Sequence, residues 1–435
     1  MIVIGPYLRM RRPTAEAQTD HRVLRDFEAR LVEAKGLAGS IDLTVVDAVI
    51  APVGKIRPAT YLGKGKVEEI MALVASYHAE LVVMDCALSP IQQRNLEKAW
   101  NAKVLDRTGL ILEIFGRRAK TKEGALQVEL AHLNYQRSRL VRSWTHLERQ
   151  RGGFGFMGGP GETQIEADRR LIGERIIRLE NELKKVQATR RLHRAGRARV
   201  PYRLVALVGY TNAGKSTLFN RLTRSDVQAA DMLFATLDPT LRAVHLPHGG
   251  KAMLSDTVGF ISDLPTQLVA AFRATLEEVL EADVILHVRD ISHEDAEAQQ
   301  GDVDAVLRQL GIDPDSGCIL EVWNKIDRFC AHEREGLHNI AARRPRQRPC
   351  LLVSAETGEG IDALLSAIEG RLAAARVTLD LSVDASDGAG ISWLHRNSEV
   401  LNKQLHDGRF EMTVRVEESK RYIVVSRFDA VQHGM

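Results

Sequence analysis

Residues 209–217 place two glycines, a lysine and a hydroxyl pair at the spacing Gly-x4-Gly-Lys-Ser-Thr. In order they are Gly209, Tyr210, Thr211, Asn212, Ala213, Gly214, Lys215, Ser216 and Thr217. The chemistry this spacing serves is phosphate binding. Glycines let successive backbone N–H groups turn inward, and the N-terminus of a following helix favours an anion. Lys215 supplies a point charge for β- and γ-phosphates, and the Ser216 hydroxyl is placed for Mg²⁺. The pattern carries weight only between a strand and a helix. Both are present: RLVALVG reads as a buried strand and KSTLFNRL as a helix.

Three further groups follow. Asp256 ends a short apolar run, with Thr257, Val258 and Gly259 after it. A carboxylate there can hold a metal's water shell, and the Gly259 N–H can sense a γ-phosphate. Asn324, Lys325, Ile326 and Asp327 come next. Guanine offers N1–H and a 2-amino group side by side, and the Asp327 carboxylate can accept both. Adenine lacks that pair and would leave a buried acceptor unsatisfied. Lys325 can lie over the base, and Asn324 can tie its loop to the phosphate loop. Ser354, Ala355 and Glu356 follow the strand LLV, and a backbone N–H there can donate to guanine O6. Together these residues predict a guanine nucleotide site that turns GTP into GDP and phosphate.

The elements that must hold these groups come from periodicity. From Arg203 to about residue 376, strands alternate with helices, which predicts a mostly parallel sheet flanked by helices. The same alternation fills 1–118, with a strand at 41–50 and helices at 66–78, 89–100 and 107–118. The fold class is therefore α/β and multidomain. Between the two α/β units, Leu126, Leu130, Leu133, Leu140, Trp144 and Leu147 form one stripe at helical steps. Ile165, Ile172, Ile176, Leu179, Leu183 and Val186 form a second. Two such stripes predict an antiparallel helical hairpin over 119–200. Residues 377–435 read as a small α+β unit of order βαββ, with a helix at 391–405 and strands at 410–416 and 421–427.

Charge is uneven. Net charge is +3, but 117–151 holds nine Lys or Arg against three Glu, and 162–200 holds eleven against six acids. Segment 117–200 is thus +11 and the remainder 3 − 11 = −8. That asymmetry points to a polyanion; a solvated helical face is the plainer alternative. The hairpin tip, 150–161, carries six glycines with Phe154, Phe156 and Met157, and Arg149 and Arg151 stand at its base. Arginines can pair phosphate and aromatic rings can stack on bases, so these four Arg and Phe residues are candidate RNA contacts. A plain linker is the alternative.

No apolar run approaches the length of a membrane span, and the N-terminus lacks a signal peptide's apolar stretch. Cys86, Cys318, Cys330 and Cys350 form no CxxC pair and read as reduced thiols. A cytoplasmic monomer is expected.

The motifs resemble those of the translation-factor-related GTPases, and the wider chain, about 40–430, resembles the HflX family of ribosome-associated GTPases. The matching segments are GYTNAGKSTLFNRLT, LFATLDPTLR, DTVGFISDLP, TGLILEIF and GGPGETQIEADRR. The resemblance implies that Thr236 closes on Mg²⁺ and γ-phosphate, with Phe234, Ala235, Leu237 and Asp238 beside the nucleotide. It makes Lys215, Thr236 and Gly259 the residues closest to catalysis. It implies K⁺ held by Asn212, a loop-stabilising amide being the alternative. It also implies binding to the 50S subunit and its rRNA, in ribosome splitting, rescue or biogenesis. Trp323 and Arg289 depart from the family pattern, where smaller apolar residues are usual. Phe260 stands where Ras-like GTPases carry the glutamine that orients water, so intrinsic hydrolysis should be slow. Two other readings stay open: a nucleotide-gated RNA-binding scaffold, and an RNA-remodelling enzyme with a second nucleotide site at LGKGK, 62–66.

Overall fold

The computed structural model describes residues 1–8, 26–150, 164–197, 203–224, 234, 240–262, 273–344, 348–374, 376–428 and 431–432. Its first sheet is all parallel, in the order β2-β1-β3-β4. The strands are β1 (Ile2–Gly5), β2 (Asp47–Ile50), β3 (Leu81–Met84) and β4 (Lys103–Asp106). Neither β1 nor the helix α1 (Phe27–Gly39) is marked by the sequence pattern. β1 is a four-residue apolar run, buried because β2 and β3 flank it on both sides. The strand expected over 41–50 is confined to β2; Asp42, at φ 60°, belongs to the turn that precedes it.

With α1, three further helices cover this sheet. α2 (Lys64–Ser76) starts within LGKGK, where Lys66 pairs with Glu69 at 2.7 Å. α3 (Pro90–Trp100) opens on a reciprocal cap between Ser89 and Gln92, with proline at its first position. α4 (Arg107–Arg118) follows β4 without a loop, and the Asp106 carboxylate accepts from the Gly109 N–H at 2.8 Å.

Two long helices come next, α5 (Lys122–Gln150) and α6 (Gln164–Arg197). Leu126, Leu130 and Leu133 pack against Leu179, Leu183 and Val186. That is one end of the seam the two stripes predict. The tip, with Arg151, Phe154 and Phe156, lies outside the described residues, and of Arg149 only the backbone is described.

The second sheet has six strands in the order β10-β9-β8-β5-β7-β6. They are β5 (Arg203–Gly209), β6 (Thr240–His245), β7 (Lys251–Asp256), β8 (Val284–Asp290), β9 (Ile319–Asn324) and β10 (Cys350–Leu352). Only β6 runs antiparallel. Its helices are α7 (Lys215–Thr223), α8 (Arg273–Leu280), α9 (Ala296–Gln309), α10 (Ala331–Ala342) and α11 (Ile361–Ala374). One face carries an ordinary apolar core. The core on the other face is continuous with that of the first sheet. Phe115 and Ile111 of α4 share it with Val208, Tyr210, Phe234, Phe260 and Ile261.

The C-terminal region corrects the βαββ reading. It contains β11 (Arg376–Asp384), α12 (Gly388–Asn397), β12 (Glu399–His406), β13 (Arg409–Glu417), α13 (Glu418–Phe428) and β14 (Val431–Gln432). The expected helix stops at Asn397, and β12, directly after it, is an exposed edge strand. The segment 421–427, read as a strand for its Ile-Val-Val run, is helical. Among its described side chains, Val424 and Phe428, one helical turn apart, are the buried ones. Tertiary burial at that spacing overrides the β preference of the run. No described helix is long and apolar enough to cross a membrane.

Candidate functional site

The chemistry-bearing groups gather at the carboxyl ends of β5, β7, β8, β9 and β10, the edge where open α/β sheets place ligands. β5 ends on Gly209, and the chain turns through the phosphate loop into α7. Gly214 has φ 87°, and a Cβ there would collide with the Asn324 amide. Lys215 is buried, and its ammonium donates to Gly209 O at 3.1 Å and Tyr210 O at 2.7 Å. Burial lowers its pKa to about 8; Lys325 pushes the same way and Asp256 opposes.

At the end of β7, Asp256 accepts from the Ser216 hydroxyl at 2.8 Å. Two hard oxygen donors so close fit Mg²⁺, which takes one or two protein ligands and fills its shell with phosphate and water. No group of three or more metal-ligating side chains occurs among the described residues. Thr257 donates to Leu207 O, and Val258 is buried. Gly259 passes the phosphate loop so closely that a Cβ would lie 2.8 Å from Thr211 Cγ2, 2.9 Å from Thr211 Cα and 3.1 Å from Lys215 Nζ. Any larger residue would push this segment away from the phosphate loop. Phe260 then zips to the loop: its N–H donates to Gly209 O at 3.1 Å, and its carbonyl accepts from Thr211 N at 2.8 Å. Its ring is buried in the shared core and faces no water.

On the base side, Asn324 joins three loops. Its amide donates to Ala213 O at 2.9 Å, and its carbonyl accepts from Ala355 N at 3.0 Å. Lys325, at φ 67°, reaches Asn212 O at 2.8 Å and the Asp290 carboxylate at 2.6 Å. The Ile326 N–H donates to Val353 O. The half-buried Asp327 carboxylate accepts from the Ser354 hydroxyl at 2.5 Å. Glu356 is exposed, and its carbonyl accepts from Arg221. The residues expected around guanine therefore meet along one edge. Thr217 is present in the first turn of α7. Thr236, Ala235, Leu237 and Asp238 lie outside the described residues, while Phe234 packs edge-on against Phe115 with ring centres 4.8 Å apart. Asp290 went unread. Its signal was available, since it ends an apolar strand as Asp256 does.

A second cluster reaches the site from the first sheet. Arg107 pairs with Asp85 and, at 2.5 Å, with Glu33. The same guanidinium donates to Ser262 O at 3.0 Å and Ser262 Oγ at 2.9 Å. The Ser262 N–H donates to the Tyr210 hydroxyl at 2.8 Å, and that hydroxyl donates to Glu33. Burial works against the Arg107 charge, but Asp85 and Glu33 more than reverse this and raise its pKa. One ion network thus ties the segment after Gly259 and the phosphate loop to α1 and α4. Trp323 and Arg289 also have an account. Both are buried, and both bond the Glu321 carboxylate, Trp323 at 3.0 Å and Arg289 at 3.3 Å.

Comparison with known proteins extends these observations. Residues 28–116 match a family model described as GTP-binding GTPase N-terminal, and 118–197 the GTP-binding GTPase middle region. Residues 204–325 match a 50S ribosome-binding GTPase model, and 339–430 an HflX C-terminal domain. The chain is 51% identical over 397 residues to a GTPase HflX of Magnetococcus marinus, covering 91% of this chain and 90% of that one. It is 46% identical over 343 residues to a GTPase HflX of Escherichia coli, covering 79% of each. Among solved structures, a GTP-binding protein from Sulfolobus solfataricus in complex with GDP matches at 22% identity and TM-score 0.43, over 85% of this chain and 97% of that one.

Proposed function

The chain belongs to the HflX family of GTPases, and from that premise we propose that it hydrolyses GTP with Mg²⁺ in contact with the large ribosomal subunit. The Asn324 bridge carries the nucleotide reading. A single amide fixes the phosphate loop, the Asn324–Asp327 loop and the Ser354–Glu356 loop to one another, so phosphate and base are measured by one rigid edge. Asp327 accepts from guanine N1–H and the 2-amino group, and an N–H of the Ser354–Glu356 loop donates to O6. Lys215 and the phosphate-loop amides hold the phosphates. Ser216 would hold Mg²⁺ directly, Asp256 through water, and Thr236 would close on it; when bound, the ion offsets charge on the β- and γ-phosphates. The Gly259 N–H marks the γ-phosphate. Asn212 is the proposed K⁺ ligand, for which turnover in KCl against NaCl is the direct measurement.

The ring of Phe260 has neither donor nor acceptor and is packed away, so it neither orients water nor stabilises developing charge. Intrinsic turnover is therefore slow and waits on a partner. The family model's ribosome-binding description and the +11 segment at 117–200 favour the 50S subunit and its rRNA, met through Arg149, Arg151, Phe154 and Phe156. We take the working units as 1–118, 119–200, 201–376 and 377–435, in a monomeric, cytoplasmic protein. Purified 50S subunits are expected to accelerate GTP turnover at least about tenfold, roughly 1.4 kcal/mol off the barrier. Asp256→Ala should abolish that response. Fast turnover by the free protein, with no response to subunits, would overturn the reading.

A further inference from the structure

Beneath the base-side loops lies a buried charge cluster that phosphate chemistry does not require. In the pairing of β8 with β9, Arg289 lies opposite Trp323, and the next pair along is Asp290 and Asn324. Two residues before Trp323, on the same face of β9, Glu321 has a fully buried side chain. Three arginines converge on it: Arg348 at 2.6 Å, Arg289 at 3.3 Å and Arg344 at 3.7 Å. Arg289 and Arg344 also lie over the Trp323 ring, 5.7 and 5.4 Å from its centre.

These arginines come from different places. Arg289 is on β8, Arg344 follows α10, and Arg348 stands just before β10. Glu321 therefore fastens β8, β9 and the start of β10 at one point. The same three strands end in Asp290, in the Asn324–Asp327 loop and in the Ser354–Glu356 loop. Apolar residues of similar volume would hold strands together without taking a carboxylate out of water. What a charged cluster adds is direction: the Arg289 guanidinium and the Trp323 indole both hydrogen-bond one oxygen of this carboxylate, at 3.3 and 3.0 Å, while Arg348 is held bidentately by Asp304 beside it.

We infer that Glu321, with Arg289, Arg344 and Arg348, is a positioning element for guanine recognition. It sets the spacing of two loops that meet where Ser354 donates to Asp327 at 2.5 Å. This deepens the proposed nucleotide reading and rests on Asp327 as the base acceptor. A shift between the loops would misplace one lobe of the double acceptor, and the 2-amino contact would weaken first.

Inosine diphosphate lacks that amino group, so the ratio of GDP to IDP affinity reads the positioning directly. Glu321→Gln in the full chain keeps the shape and removes the charge. It should weaken GDP at least about fivefold while changing IDP less, so that the ratio falls at least about threefold. Arg344→Ala, at a partly exposed side chain, serves if Glu321→Gln does not fold, and should move the ratio the same way. Melting temperatures without nucleotide are measured alongside. Lower melting with an unchanged ratio reduces the cluster to a fastener of the sheet and overturns the inference. Asp327→Asn is the control. If it leaves GDP preferred over xanthosine diphosphate, the base-acceptor assignment fails, and the positioning role falls with it.

Discussion

The carboxyl edge of the four-stranded sheet and that of the six-stranded sheet hold acids at equivalent places and pair them differently. In the first, Asp85 follows β3 and Asp106 ends β4, and the protein's own side chains answer both. Asp85 takes Arg107 and the Tyr7 hydroxyl at 2.8 Å. Asp106 takes Arg139 at 2.5 Å, Tyr135 at 2.6 Å and the Gly109 N–H at 2.8 Å. In the second, glycines let the loops close up where a Cβ would collide, Gly209 with Val288 O, Gly214 with the Asn324 amide and Gly259 with Thr211; Asp290 takes Lys325 at 2.6 Å and Asp256 a serine hydroxyl at 2.8 Å. The difference is one of occupancy. Arginine fills the strand-end crevice of the first edge from within, whereas the glycine loops of the second are the proposed phosphate site.

Removing the internal occupant should have the largest effect. Arg107→Met leaves Glu33 and Asp85 buried without their cation, a change that costs about 3–5 kcal/mol. The urea midpoint should fall accordingly; a loss below about 1 kcal/mol would mean the first crevice does not need its arginine.

A smaller effect is expected from closing the second crevice. Gly259→Ala puts a methyl against Thr211 and Lys215, for an overpacking cost of about 1–3 kcal/mol. Because the Gly259 N–H is pushed off the γ-phosphate, affinity for GTP should fall more than affinity for GDP. Equal losses for the two nucleotides would break the assignment of that N–H.

The smallest effect is a pH dependence of nucleotide affinity set by Lys215 of the second edge. Lys215 is charged below its pKa of about 8 and neutral above it, while the unfolded lysine stays charged to about 10.5. Phosphate favours the charged form, so nucleotide affinity should be flat below pH 8 and fall above it, by up to about a decade per pH unit. Stability of the nucleotide-free chain moves the other way. Between pH 8 and 10.5 the unfolded state binds more protons, so unfolding free energy from this group rises with pH. Titrations of GDP affinity from pH 7 to 10 read the first trend, and Lys215→Arg, which holds its charge, should flatten it.

The motif residues of the second edge were legible because their types recur at fixed local spacing, and the structure brings the described ones to one edge. Gly209–Ser216 could be read as a loop on its own. The first edge was not legible, because nothing local marks Arg107 as the partner of Ser262, 155 positions away. β1 escaped notice since four apolar residues signal little until two neighbours enclose them. In the C-terminal region local preference misled, and burial of Val424 and Phe428 one helical turn apart decided the outcome. Trp323 and Arg289 looked like faults singly and make sense as a pair, through a glutamate neither identifies in advance.

The core shared by the two α/β regions has a consequence for synthesis on the ribosome. Phe115 leaves the peptidyl-transferase centre 145 positions before Phe260, one of the residues it shares a core with. At about 5–20 residues per second, that interval lasts roughly 7–29 seconds. For that time the apolar face of α4 is made but lacks the part of its covering that the second region supplies. A nascent chain with that face bare is prone to association, and a pause between codons 120 and 260 would lengthen the exposure.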